Sequence, residues 1–225
     1  VRCEPMIRSW LSRWRQSPHP LVTRFNATPI PDTRTSIGDC PLLAIDLETT
    51  GLDPRKDHIV SVGWVPVRRR EILLTEARHH LIKSPVSVGQ SAVIHGLTDS
   101  RLQNARSLEA VLTDLLETYA GHVLVAHHAP LDHAFLQTAM QRCFGCTPKL
   151  HFIDTLAVES EWLQKKGIAP KAAALSLEAC LRRHCLPEGR PHDALEDAYG
   201  CALLLLAQTR STKVSLAGLL RHTRL

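Results

Sequence analysis

The apolar positions along the chain change period partway through. Leu42 to Leu47 form a short apolar run closed by Thr49-Thr50-Gly51, the pattern of a buried strand. Ile59 to Val67 is rich in valine and predicts a second strand. Ile72 to Ile82 predicts a third, with Arg68-Arg69-Arg70-Glu71 as the hairpin turn between them. Helical spacing takes over at Ser107 to Tyr119, where Leu108, Val111, Leu112, Leu115 and Leu116 share one face and Ser107 is placed as N-cap. Val123 to Ala126 predicts a fourth strand, Pro130 to Gln141 a helix with proline in its first turn, and Phe152-Ile153 a fifth strand. Helical stretches at Thr155 to Gln164, Ser176 to Cys185 and Asp193 to Gln208 complete the pattern. A hairpin series followed by strands alternating with helices predicts an α/β domain, a mixed five-stranded sheet flanked by helices.

The first 39 residues break this pattern. Trp10, Leu11 and Trp14 stand among arginines between Met6 and Arg15, as in a short amphipathic helix, and Pro18, Pro20, Pro29 and Pro31 then interrupt regular structure. The expected organisation is a tail and Pro-rich linker over 1–39, a folded domain over 40–210 and a C-terminal tail over 211–225. No apolar run approaches the roughly 20 residues that span a bilayer, so no membrane partner is expected. Nor is there an apolar run with a small-residue cleavage site, so no secretory signal is expected.

Composition adds little to that frame. The 225 residues, 44% hydrophobic and 22% charged, allow one sizeable core. Seven cysteines without regular spacing argue for a reducing, cytoplasmic setting over a disulfide framework. Cys143-Phe144-Gly145-Cys146 lacks the two further ligands a zinc site needs, and is read as a turn between packed thiols. The formal net charge of +5 suits a polyanionic partner.

Three stretches carry the chemistry. They are Ala44-Ile45-Asp46-Leu47-Glu48-Thr49-Thr50-Gly51, Ala126-His127-His128-Ala129-Pro130-Leu131-Asp132 and His192-Asp193-Ala194-Leu195-Glu196-Asp197-Ala198. Each sets a carboxylate beside an apolar run, where it is costly unless paired, hydrogen-bonded or bound to metal. Asp46 and Glu48 are two apart on a strand and share a face, where they repel unless a cation lies between them. Asp132 lies on the inward stripe of its helix with Phe135, Leu136 and Ala139, although it could equally serve only the helix dipole. Asp193 and Glu196 fit a capping pair, which leaves Asp197 for the site and puts His192 on the preceding loop. Oxygen ligands without a Cys or His cluster favour Mg²⁺ or Mn²⁺ over zinc.

Taken together, the stretches resemble, in order and spacing, the three motifs of the DEDDh exonuclease family, the DnaQ-like proteins, and most closely the proofreading exonucleases similar to the epsilon subunit of DNA polymerase III. Asp46 and Glu48 resemble the first motif, Asp132 the second, and His192 with Asp197 the third. The resemblance covers about residues 40–208. It implies an RNase H-like fold and a two-metal 3′→5′ exonuclease acting on a free 3′ end, with DNA favoured over RNA. Asp46, Glu48, Asp132 and Asp197 are then the metal ligands and His192 the general base. Thr49, Leu52 and His95, the last in Ile94-His95-Gly96-Leu97-Thr98, become candidates for holding the terminal nucleotide. The second motif departs from the family: His128 stands where asparagine is usual, and it is also a candidate substrate contact. The alternatives are an exoribonuclease of the same superfamily and an interaction module associated with a polymerase as one of its subunits.

Overall fold

The computed structural model describes residues 19–83, 105–190, 192–210 and 214–223. Among the described residues, six strands form one open mixed sheet: β1 (Leu42–Thr49), β2 (Ile59–Arg68), β3 (Glu71–Ile72), β4 (Arg78–Leu81), β5 (Val123–Ala126) and β6 (Phe152–Asp154). The order is β3-β2-β1-β5-β6, with β4 also on β2. β1 runs antiparallel to β2 and parallel to β5, and β5 parallel to β6. Seven helices accompany the strands among the described residues: α1 (Pro20–Ala27), α2 (Leu108–Thr118), α3 (Ala129–Phe144), α4 (Thr155–Lys165), α5 (Leu177–Arg183), α6 (Ala194–Gln208) and α7 (Leu216–Leu220). None of them is long and apolar enough to cross a membrane.

Alternation along β1 sorts the layers. Leu43 and Ile45 face a core built with residues of α1, α2 and α3, while Leu42 and Ala44 face Cys201, Ala202 and Leu205 of α6 and Leu216 of α7. The sheet is thus covered on both faces, as parallel strands require.

Three expectations need correction. The third strand is two, β3 and β4, separated by a 3-10 turn at Leu74–Glu76, so the sheet has six strands rather than five. The cause lies on β2. Pro66 accepts the Leu73 N–H through its carbonyl but has no N–H of its own to return, so the ladder fails there and resumes at the Arg78–Trp64 pair. The region assigned to a linker holds α1, whose Leu21, Val22 and Phe25 are buried. Pro20 does not break this helix because it occupies the first turn, where its missing N–H would be unused. The region assigned to a C-terminal tail holds α7, with Leu216 and Leu219 buried. The predicted helix around Trp10 and Trp14 lies outside the described residues.

The hairpin turn is where the sequence placed it. Arg69 and Arg70 both have positive φ (50° and 65°), as a two-residue hairpin loop demands. Arg70 then reaches the end of α6, donating to the carbonyls of Thr209 (2.9 Å) and Leu206 (3.0 Å), which have no partner further along the helix.

Candidate active site

The site forms where β1 and β5 part at their C-terminal ends. Parallel pairing stops at Ala44–Val125, while β1 continues through Asp46 and Glu48. Open α/β sheets present their clefts at such carboxyl ends. Asp46 and Glu48 follow Leu42 and Ala44 on the face covered by α6. Asp197 lies in the first turn of α6. One carboxylate oxygen from each of Asp46, Glu48 and Asp197 lies within 4.8 Å of the others, a group that can hold a metal ion.

Close approach of α6 depends on a missing side chain. Gly63 of β2 is directly opposite Asp46. A Cβ at Gly63 would come within 3.0 Å of the Ala194 carbonyl and the Leu195 nitrogen. The start of α6 therefore sits on bare backbone. Its N-cap is Asp193, whose Oδ1 accepts the N–H groups of Leu195 (3.1 Å) and Glu196 (3.4 Å), so Asp193 has the capping role read from the sequence. His192 precedes it with φ of 64° and an exposed side chain, and its N–H donates to Asp197 Oδ2 at 3.0 Å.

Asp132 approaches from the other layer. It is 7% exposed, in the first turn of α3, and the backbone N–H groups of Asp132 itself and of Leu47 favour its charged form. Asp132 stands beside the three-acid group, not within it.

Crowding shows in the electrostatics. Burial, then the charges of Asp132, Asp197, Glu48 and Asp193, hold the Asp46 carboxyl well above the usual range. Burial followed by Asp197 and Asp193 raises Glu48 to about 7. Burial raises Asp132 to about 8 against the pull of its own backbone N–H. Burial raises Asp197 to about 6, opposed by the His192 N–H. Four acids that resist ionising together, with oxygen donors only, form a set that fits a hard divalent cation.

The remaining sequence candidates are distributed as follows. Thr49 is half-buried and donates from Oγ1 to the Gly51 carbonyl (2.7 Å), shaping the loop after β1. Leu52 is 77% exposed on that loop. His128 is exposed and has φ of 78°, a left-handed conformation in which Asn, Asp and His are the favoured non-glycine residues. That backbone requirement explains why histidine can stand where asparagine is usual. His95 lies outside the described residues. Cys143 and Cys146 pack against the core around Gly145, which ends α3 with φ of 68°.

Sequence reasoning missed two further acids. Asp154 ends β6, is 4% exposed and caps α4. Glu178, in the first turn of α5, raises Asp197 by its charge and is itself held low by Ser176, with His192 and His127 contributing. Ser176, as N-cap of α5, was the only signal for Glu178. His127, the first residue of the second motif, is structural. Its Nε2–H donates to the Leu175 carbonyl (2.7 Å), which leaves Nδ1 to accept from the Thr155 hydroxyl (2.9 Å), and burial keeps its pKa low.

Residues 43–205 match the family profile RNase_T, described as Exonuclease. The chain is 33% identical over 173 residues to a DNA polymerase III PolC-type protein of Thermotoga maritima, covering 76% of this chain and 12% of that one. To the PolC-type protein of Staphylococcus epidermidis it is 32% identical over 182 residues, covering 80% and 12%. It thus spans only a small part of the length of these relatives. Among solved structures, exonuclease X in complex with 5′ overhanging duplex DNA has a TM-score of 0.61 at 23% identity, covering 80% of this chain and 98% of that one. The nuclease domain of 3′hExo, a DEDDh family member bound to rAMP, has a TM-score of 0.64 at 14% identity, covering 77% and 94%. These two share the fold. By profile and by identity, this chain belongs to the exonuclease family.

Proposed function

We propose that this chain is a divalent-metal-dependent 3′→5′ exonuclease that hydrolyses the terminal phosphodiester of single-stranded or mismatched DNA ends to nucleoside 5′-monophosphates. The observation that carries the reading is the clustering of Asp46, Glu48 and Asp197 oxygens within 4.8 Å, with buried Asp132 beside them and His192 at the rim. Asp46, Glu48, Asp132 and Asp197 would hold two Mg²⁺ or Mn²⁺ ions, Asp46 contributing to both. Such ions supply positive charge at the scissile phosphate, where negative charge builds during in-line displacement.

The chain's own residues do the rest. His192 takes the proton of the attacking water at an imidazole nitrogen, and the Asp197 carboxylate holds the His192 backbone in place. Water forms the new P–O bond as the bond to the 3′ oxygen of the penultimate nucleotide breaks. The phosphate therefore leaves on the 5′ oxygen of the released nucleotide. Leu52 offers an apolar surface to the terminal base, Thr49 shapes the loop that carries it, and His128 lies open at the start of α3 as a further contact.

The naming of the relatives as PolC-type DNA polymerases supports DNA as substrate and a place beside DNA synthesis. The test is a panel of 5′-labelled single-stranded, duplex, mismatched and RNA oligonucleotides with Mg²⁺ or Mn²⁺. Stepwise shortening of the DNA strands that stops on chelation is expected. Preferential loss of the RNA strand would turn the reading to an exoribonuclease, and cleavage that survives chelation would remove the metal from the mechanism.

A further inference from the structure

The ends of β5 and β6 are held by more than the strand ladder. Their last pair is Ala126–Asp154. Past it, two consecutive residues of one strand end hold two consecutive residues of the other. Thr155 Oγ1 meets His127 Nδ1 at 2.9 Å, and Asp154 Oδ1 accepts the His128 N–H at 3.0 Å. The same Oδ1 accepts the Leu156 N–H at 3.0 Å, so a single oxygen caps α4 and fastens the second motif.

A helix cap alone does not explain this residue. Ser107, Ser176 and Ser215 cap α2, α5 and α7 with a hydroxyl, and the carboxylate of Asp193, which caps α6, is only half-buried. Asp154 instead brings a carboxylate into a buried position, where its charge adds to the repulsion on Asp132. What the longer side chain supplies is reach to His128. That residue carries the left-handed φ of 78°, a conformation costing on the order of 1–2 kcal/mol for a residue with a Cβ. His128 is also the N-cap position of α3, and Asp132 follows in the first turn. An error in the His128 turn passes directly to the Asp132 carboxylate.

We propose that Asp154 is a positioning residue of the exonuclease centre: its carboxylate locks the left-handed turn at His128 and so fixes where α3 presents Asp132 to the Asp46–Glu48–Asp197 group. The proposal rests on the reading of these acids as a metal-dependent exonuclease site. It differs from a purely structural role in what it changes: metal affinity and turnover of a protein that stays folded.

Two variants separate the possibilities. Asp154→Asn keeps an oxygen for both N–H groups. Asp154→Ser keeps the α4 cap but is too short to reach His128. Mn²⁺ binding by calorimetry, thermal melting and oligonucleotide kinetics are measured on each in the full chain. Asp154→Asn is expected within about threefold of wild type in Mn²⁺ affinity and kcat. Asp154→Ser is expected to lose about 10–100-fold in Mn²⁺ affinity at the weaker site and in kcat, the usual cost of removing a group that orients a ligand. A folded Asp154→Ser with wild-type Mn²⁺ binding would overturn the proposal. So would a tenfold loss of Mn²⁺ affinity in Asp154→Asn, which would put the role in the charge; this arm decides the matter if Asp154→Ser does not fold. Wild type that lacks exonuclease activity while Asp154→Ser still weakens Mn²⁺ binding would refute the functional reading and leave the positioning role standing.

Discussion

Gly63→Ala is the smallest change that should separate the two halves of the site. Gly63 faces Asp46 across the β1–β2 ladder, and a methyl group there would come within 3.0 Å of the Ala194 carbonyl and the Leu195 nitrogen. These are backbone atoms in the first turn of a 15-residue helix, so no side chain can swing aside. Ordinary contact starts near 3.4 Å, and the start of α6 must back away from β2. Asp197 lies three residues beyond Ala194, and the Asp193 cap and His192 just before it. A retreat on the order of 1 Å would carry all three away from Asp46 and Glu48, and such a misplacement costs about 100-fold in turnover. The overpacking itself should cost about 1–3 kcal/mol, leaving a folded protein that melts earlier. The assay is the rate of mononucleotide release from a labelled oligonucleotide, read with the thermal midpoint. Gly200→Ala is the control. It lies on the same helix, and its new methyl would meet the tip of the Leu181 side chain at 3.1 Å, a group able to give. Its activity should stay within about twofold of wild type, since alanine is the better helix former. A folded Gly63→Ala enzyme with wild-type turnover would refute the claim that this contact sets the place of Asp197.

Three further outcomes are expected. His192→Ala should lower kcat by about 10²–10⁴-fold, the usual contribution of a general base, while calorimetry shows metal binding retained. Raised carboxyl pKa values mean the folded, metal-free protein holds protons that the unfolded chain releases. The resulting stability is full below the unfolded carboxylate range and is lost as pH rises through about 6 (Asp197), 7 (Glu48) and 8 (Asp132). Melting of chelated protein should therefore fall from pH 5 to 8, and added Mn²⁺ should raise it more at pH 8 than at pH 6; equal increments would contradict the crowding described here. Leu52→Ala should raise KM for oligonucleotides several-fold without lowering the melting temperature, because the side chain is 77% exposed and supports no core.

The motif residues were legible because each announces its geometry locally. Asp46 and Glu48 share the parity of Ala44, Asp132 shares the stripe of Phe135 and Leu136, and Asp193 marks the start of α6. Features set by a partner strand or a backbone angle were not. The break between β3 and β4 is written in Pro66, on the neighbouring strand. Pro20 starts a helix or stops one according to which residue lies first in the turn, and the buried face of α1 decides it. Asp154 fell between the predicted strand Phe152-Ile153 and the helix from Thr155, and the two N–H donors that reveal its role lie on different elements. The replacement at His128 seemed a chemical change until its positive φ showed a backbone requirement that histidine and asparagine both meet.

The central claim is that the acids gathered at the end of β1 form one cation-dependent centre that removes nucleotides from a 3′ end. It is tested most directly by following a 5′-labelled single-stranded DNA with Mn²⁺, using wild type and Asp46→Asn, the acid that would contribute to both ions. Wild type should give a ladder shortened one nucleotide at a time from the 3′ end, releasing nucleoside 5′-monophosphates. Asp46→Asn should lose at least 1,000-fold in rate, on the order of 4 kcal/mol in barrier, with Mn²⁺ affinity reduced in parallel. Wild-type ladders from folded Asp46→Asn, or internal cuts in place of a ladder, would contradict the account.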